Sequence, residues 1–333
     1  MKFDIILGNP PYQENDGGGG AGKSATPVYN KFIEQAKTLN PENMLLIIPS
    51  RWFNGGKGLD QFRETMLNDE RLAKIVDYAD SRDCFPGVDI PGGVCYFVWD
   101  VDHSGPCKTT YIEPGGKAIE AERPLNEFPI FIRNNRAINI IKKVTSKTEV
   151  FMSEVVSSRK PFGLESKEKS DDSGEIILRN SSGLGSIKRE KIKSGFDLIP
   201  KWKTIVSKVT VEHAGVPGKD GMMKVLSIVQ VLPPNSASTE TYLIAGAYDN
   251  EIQAKNTEKY LKTRFVRFLV SQMLASMNMS KSSYSFVPVQ DFTGKSDIDW
   301  DKTIDGIDIQ LFVKYGLNSD ESEFIKSKIK EMN

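Results

Sequence analysis

The sequence predicts an α/β protein: a partial doubly wound sheet over about the first hundred residues, then an irregular α+β region. Three observations carry this expectation. Strand-like and helix-like segments alternate between residues 3 and 99. A strand-like run such as 44–48 is continuously apolar, as in parallel strands covered on both faces. Beyond about residue 100 the order gives way to short apolar runs between Gly, Ser, Asp and Pro clusters.

The elements follow in order. Residues 3–7 form a compact apolar run that Gly8 and two prolines stop. Residues 28–36 have helical spacing, with Tyr29, Phe32, Ile33 and Ala36 on one side. Residues 44–48 read as a buried strand ended by Pro49, 58–68 as a helix, and 72–78 as a strand. Residues 92–99 are rich in aromatic and β-branched side chains, as strands are. Residues 104–129 carry so many Gly and Pro that they read as loop or irregular sheet. Residues 134–146 suit a short helix, and about 251–277 one long helix. The segment from 297 onward is acidic. The expected divisions are 1–105, a linker with a short helix over 106–150, and 151–333.

Composition excludes several classes. The chain has 333 residues, 39% hydrophobic and 26% charged, enough for a sizeable core. Lys+Arg and Asp+Glu are both 44, so a uniformly basic binder is excluded although local basic faces are not. Cys84, Cys95 and Cys107 make no CxxC pair, and His103 and His213 lie far apart, which argues against a metal site or a disulfide framework. No apolar run approaches the roughly 20 residues that span a bilayer. The amino terminus has no signal-peptide pattern, so the expected location is cytoplasmic.

The informative stretch is Asn9-Pro10-Pro11-Tyr12 at the end of the first strand. Two successive prolines fix φ twice and remove two donors, so the Pro10 carbonyl is presented by a stiff turn. Asn9 supplies a side-chain acceptor beside it, and Tyr12 a flat ring with a polar tip. Two acceptors and a stacking ring at a strand's carboxyl end form a receptor for a planar amine.

This arrangement resembles motif IV of the DNA methyltransferases that modify adenine N6, in the large enzymes of restriction–modification systems. The preceding strand, residues 3–8, and the downstream stretches 47–53, 84–88 and 92–94 resemble that family too, as do 260–265, 286–292 and 298–300 in its target-recognition region. The resemblance implies a partial Rossmann-like methyltransferase sheet over 1–105 and a target-recognition domain over 151–333. It implies methyl transfer from S-adenosylmethionine to an adenine flipped out of double-stranded DNA. Asn9 and Pro10 would accept the two amine hydrogens, Pro11 would stiffen the turn, and Tyr12 would stack on the base. Trp52 and Phe53, after the next strand, are candidates for the opposite wall, with ordinary packing as the alternative.

In that family the donor binds at a glycine-rich loop ahead of the Asn-Pro-Pro-Tyr strand, and here eight residues precede Asn9. Residues 182–185 and 243–247 hold glycines but lack the pattern, and both read as turns. The expectation is a fragment or subunit whose cofactor-binding half lies on a companion polypeptide. A non-catalytic DNA-specificity module is the alternative. Residues 17–24 match the phosphate-loop pattern, but no strand runs directly into them and Pro27 follows, so they read as a loop beside the base pocket. Basic residues concentrate at 179–208, where Lys188, Arg189, Lys191, Lys193, Lys201 and Lys203 are candidates to track a phosphate backbone.

Overall fold

The structure, a computed structural model, describes residues 3–14, 26–56, 58–210, 217–218, 220–274 and 278–332. It divides into two compact units, the first running to Ile138 and the second starting at Asn139. No helix of the described residues is long and apolar enough to cross a membrane.

In the first unit, β1 (Ile5–Gly8) leads into a two-stranded ribbon, β2 (Gln13–Glu14) and β3 (Thr26–Pro27). There follow α1 (Tyr29–Thr38), β4 (Asn43–Pro49), α2 (Asp60–Leu67), β5 (Leu72–Tyr78), β6 (Val94–Asp100), β7 (Cys107–Ile112) and β8 (Ala118–Arg123). Six strands form one sheet in the order β1-β4-β6-β5-β7-β8. β1, β4, β5 and β7 are parallel; β6 and β8 are reversed. The β4–α2–β5 crossover skips one place, and β6 returns to fill it. Every second residue of β4 (Met44, Leu46, Ile48) is buried with Ile33 of α1, Phe62 and Met66 of α2, and Phe97 and Trp99 of β6. That alternation follows from the two-residue repeat of a strand.

The sheet does not stop at residue 105. The glycines and prolines of 104–129 sit in turns: Gly105 before β7, Gly115 and Gly116 at positive φ between the strands, and Pro124 after β8. Between them lie β-forming residues such as Thr109, Thr110 and Tyr111, so the expected linker supplies two sheet strands instead. The turn signals are real, but they mark a hairpin.

A buried ion pair ties the sheet to the segment beyond it. Arg133 donates from Nε and Nη2 to the two carboxylate oxygens of Asp77, each at 2.7 Å, and from Nη1 to the Gly92 carbonyl at 2.8 Å. Asp77 also accepts from Ser50 Oγ at 2.8 Å. Burial pulls the Arg133 guanidinium down, and the Asp77 carboxylate more than restores it. Removing one partner of such a pair costs about 3–5 kcal/mol, because the other is left buried and uncompensated.

The helix α3 (Asn135–Thr145) contains the division between units. The second unit continues with α4 (Met152–Val155), β9 (Ile176–Asn180), β10 (Gly183–Ile187), β11 (Trp202–Ser207), β12 (Val229–Leu232), β13 (Ser236–Ser238) and β14 (Tyr242–Tyr248). These strands make two three-stranded sheets, β10-β9-β13 and β12-β11-β14, which share a core through Leu178, Ile205, Leu232 and Ile244. This is the irregular α+β module expected from the sequence.

The expected long helix is two: α5 (Glu251–Lys262) and α6 (Arg264–Ser271). Thr263 adopts extended φ/ψ and its side chain accepts from the Val266 amide, while the buried Asp308 carboxylate accepts from the Arg264 and Phe265 amides. Hydrophobic periodicity runs through the break because both halves are packed into the core, α6 at nearly every position; beside the Thr263 cap, two further amides are satisfied by the distant Asp308. The acidic carboxyl-terminal segment folds into α7 (Ile304–Lys314) and α8 (Ser319–Lys328), whose Ile307, Leu311, Phe324 and Ile325 are buried.

Glu240 gives this unit a pH signature. Its carboxylate accepts from Arg159 Nε at 2.7 Å and Ser166 Oγ at 2.9 Å, and the Arg159 bond above all holds its pKa down at about 2 against the usual 4.5. A depressed carboxylate stabilises fully above its unfolded pKa and loses that contribution as pH falls toward the folded value. Glu240→Gln should therefore destabilise the unit at pH 7, by an amount that solvent around the exposed Arg159 side chain keeps modest. In urea melts the gap to the wild type should close as pH falls from about 4.5 to about 2.

Candidate functional site

Asn9, Pro10, Pro11 and Tyr12 emerge at the carboxyl end of β1 and line one cavity of about 770 Å³. This size lies in the range of about 300–1,000 Å³ that holds a small molecule. The position, beyond the carboxyl ends of the parallel strands, is where open α/β sheets bind ligands. Two prolines keep the segment from continuing as strand or turning into helix. Its exit is fixed by the Val28 amide, which donates to the Tyr12 carbonyl at 3.3 Å, and by the β2–β3 ribbon. No hydrogen bond from the described residues reaches the Pro10 carbonyl. Burial pushes the Tyr12 phenol up, with the Asn9 amide beside it pulling the other way.

The facing wall differs from the expected one. Trp52 and Phe53 are both fully buried and belong to the core. Trp52 meets Phe62 edge-on with centroids 5.7 Å apart, Phe53 stacks on Phe131 at 4.3 Å, and the Trp52 carbonyl accepts from Arg63 Nε at 2.9 Å. Ordinary packing is thus their role. After Pro49 the chain makes a 3-10 turn, residues 50–53, which turns Ser50, Trp52 and Phe53 inward and Arg51 outward. The cavity is lined instead by Pro49 and Arg51, by Tyr29 at the start of α1, and by Asp89, Ile90 and Pro91 before β6. Sequence reasoning misses Arg51 although it lies within the 47–53 stretch. Its aromatic neighbours are the stronger signal, and only the turn reveals which of the four side chains points out.

A second hollow, about 360 Å³, shares Asn9 and Pro10 of the same corner. It lies between β1 and α1 and is lined by Leu7, Asn9, Pro10, Phe32 and Leu39. β1 pairs only with β4 among the described residues. Its free edge carries Ile5 at 59% and Leu7 at 69% exposure, beside Phe32 at 50%. An apolar, unpaired edge strand is a template for another strand.

The basic candidates do not share one environment. Arg189, Lys191 and Lys193 are exposed and Lys188 is half-buried, with Lys191 bonded to Glu168 at 3.2 Å. Lys201 pairs with Asp249. Lys203 is a correction: it is 0% exposed, and its Nζ donates to the Leu198, Ile199 and Lys201 carbonyls. It closes a turn inside the unit and cannot touch DNA. Neither glycine stretch weighed as a cofactor loop has that form. Residues 182–185 belong to the β9–β10 hairpin, and 243–247 are interior to β14. The phosphate-loop pattern at 17–24 and His213 lie outside the described residues.

Residues 1–85 match the Eco57I restriction-modification methylase family. Over 147 residues the chain is 33% identical to an uncharacterized adenine-specific methylase of Mycoplasma pneumoniae (strain ATCC 29342 / M129 / Subtype 1). That alignment covers 43% of this chain and 34% of the relative, so the chain spans about a third of the relative's length. Among solved structures, the type IIL restriction-modification enzyme MmeI in complex with DNA aligns over 97% of this chain and 57% of its own, at 10% identity and a TM-score of 0.44. The methyltransferase subunit of a type I restriction-modification system from Streptococcus thermophilus aligns over 35% of this chain and 29% of its own, at 13% identity and a TM-score of 0.24. The matched residues 1–85 include the whole Asn-Pro-Pro-Tyr corner, so it is there that the chain is similar to the Eco57I restriction-modification methylases.

Proposed function

We propose that this chain is the base-binding and DNA-recognition part of an adenine-N6 DNA methyltransferase. The observation that carries the reading is the shared cavity: Asn9, Pro10 and Tyr12 open onto it together, and the Pro10 carbonyl has no bond from the described residues to compete for it. Adenine N6 is a poor nucleophile because its lone pair is delocalised into the ring. The Asn9 side-chain oxygen and the Pro10 carbonyl accept its two hydrogens and so favour a more tetrahedral nitrogen whose lone pair points out of the ring plane. Tyr12 stacks on the extruded base. These acceptors are built before substrate arrives, so their effect needs no reorganisation.

The methyl donor of this reaction class is S-adenosylmethionine, and the described residues supply no loop of the form that holds it. The free edge of β1 and the apolar hollow beside it suit a cofactor-binding half carried on a companion polypeptide, added as further strand and helix. Such a partner would also meet Asn9 and Pro10, since both residues line both hollows.

Mixed with that companion and duplex DNA, Asn9→Ala should lower methylation by roughly 10²–10³-fold. DNA affinity in a gel-shift titration should stay nearly unchanged, and wild-type turnover would remove Asn9 from the mechanism. Double-stranded DNA is met by the exposed basic residues of the second unit. Exchanging Lys188, Arg189 and Lys193 for Glu should weaken binding to all sequences alike. It should also make the log–log salt dependence shallower by roughly 0.9 for each phosphate that is no longer neutralised. An unaltered salt slope would return these residues to plain surface.

A further inference from the structure

We propose that Arg51 binds the phosphate of the nucleotide whose base enters the cavity, with the Tyr29 hydroxyl as a second donor. This rests on the base-binding reading above and adds an interaction that reading does not require.

Arg51 lines the same cavity as Asn9 and Pro10. Its side chain is exposed and makes no hydrogen bond or ion pair with any described residue. Its backbone, in contrast, is tightly held. Ser50 and Trp52 on either side are buried. The Ser50 amide donates to the Gly93 carbonyl at 3.0 Å, Ser50 Oγ reaches Asp77, and the Arg51 carbonyl accepts from the Gly55 amide at 3.2 Å. A guanidinium on a rigid stem, bonded to none of the described residues, is preorganised for an oxyanion and suits bidentate phosphate binding.

Tyr29 is the second observation. It is 2% exposed, lines the same cavity, and its hydroxyl is buried without a hydrogen-bond partner. A buried hydroxyl left unpaired is unfavourable and calls for a partner that arrives later. Burial pushes its ionisation far up, so it keeps its proton and donates. The Arg51 charge lies within electrostatic reach of that hydroxyl. The one cavity thus carries donors for an anion at Arg51 and Tyr29 and acceptors for an amine at Asn9 and Pro10. The lining carries one carboxylate, Asp89, which forms no ion pair with Arg51 and disfavours a phosphate beside itself. A purine nucleotide presents both groups; a free base presents one.

The test is a ligand-observed NMR titration of the full chain with deoxyadenosine 5′-monophosphate, deoxyadenosine and inorganic phosphate. The monophosphate should bind about tenfold more tightly than the nucleoside, the worth of one charge-assisted hydrogen bond. Arg51→Gln, at an exposed position, should reduce the monophosphate to the nucleoside's affinity. Tyr29→Phe, which keeps the buried ring, should lose part of the advantage. Asn9→Ala should weaken both adenine ligands equally and leave their ratio intact. An advantage that survives Arg51→Gln, no advantage in the wild type, or no binding of either ligand overturns the inference. So does inorganic phosphate that binds as tightly as the nucleotide, which would mark a plain anion site. If the ratio fails while Asn9→Ala still weakens deoxyadenosine, the phosphate site falls and the base pocket stands. If Asn9→Ala changes neither ligand, the base pocket itself falls.

Discussion

The Asp77–Arg133 ion pair holds the candidate site in shape. Asp77 lies next to the end of the central strand β5 and is 1% exposed, so its charge is tolerable only with its partners in place. Those partners come from three directions: Arg133 from beyond β8, Ser50 from the turn after β4, and, through Arg133, the Gly92 carbonyl ahead of β6. Gly93 completes the joint. It sits at φ +80°, and a Cβ there would lie 2.1 Å from the Tyr78 carbonyl oxygen. The two segments that face the Asn-Pro-Pro-Tyr corner, the Arg51 turn and the loop ending in Pro91, are therefore set by one buried charge.

The two sides of the cavity are stabilised in different ways. The facing wall is anchored by tertiary contacts: the Asp77 network, the Trp52–Phe62 and Phe53–Phe131 ring contacts, and the bonds from Arg63 to the Trp52 and Gly55 carbonyls. The corner itself has one strand neighbour, β4, and takes its stiffness from covalent structure, since proline needs no partner to fix φ. That suits a segment on the edge of the sheet, where packing covers one side only. It also accounts for the pairing of an exposed apolar edge with a rigid carboxyl end. The edge can accept a further strand without disturbing the geometry of the acceptors it leads to.

Much of this is legible in the sequence, and the reasons divide by range. Strands β1, β4, β5 and β6 and the corner after β1 are readable because apolar runs and Pro-Pro are local signals. The α5–α6 break is not readable: the apolar stripe runs through Thr263, and the deciding carboxylate, Asp308, lies more than forty residues on. Trp52 and Phe53 mislead for a similar reason. Which side of a 3-10 turn faces inward depends on where its neighbours lock, here at Asp77 and Arg63. Lys203 groups with its basic neighbours in the sequence because charge density along the chain says nothing about strand register, and β11 points that side chain into the unit. The β7–β8 hairpin is hidden by glycines and prolines that mark its turns.

The chemistry of the corner explains why scaffolding matters more here than pKa tuning. His103 sits in the turn after β6, beyond the amino end of β4, whereas Asn9 follows β1 at its carboxyl end. The groups that line the working end include an amide, a proline carbonyl, phenols kept protonated by burial, a guanidinium and the Asp89 carboxylate. The two acceptors at the corner, the Asn9 amide and the Pro10 carbonyl, are not acid–base groups. An acceptor oxygen acts on an amine only through distance and angle, so its contribution is set by how firmly it is held. A buried charge cluster on one wall and two prolines on the other are two independent means to that single end. Neither depends on the ligand's arrival, which is the condition for acceptors that stabilise a developing charge without first having to move.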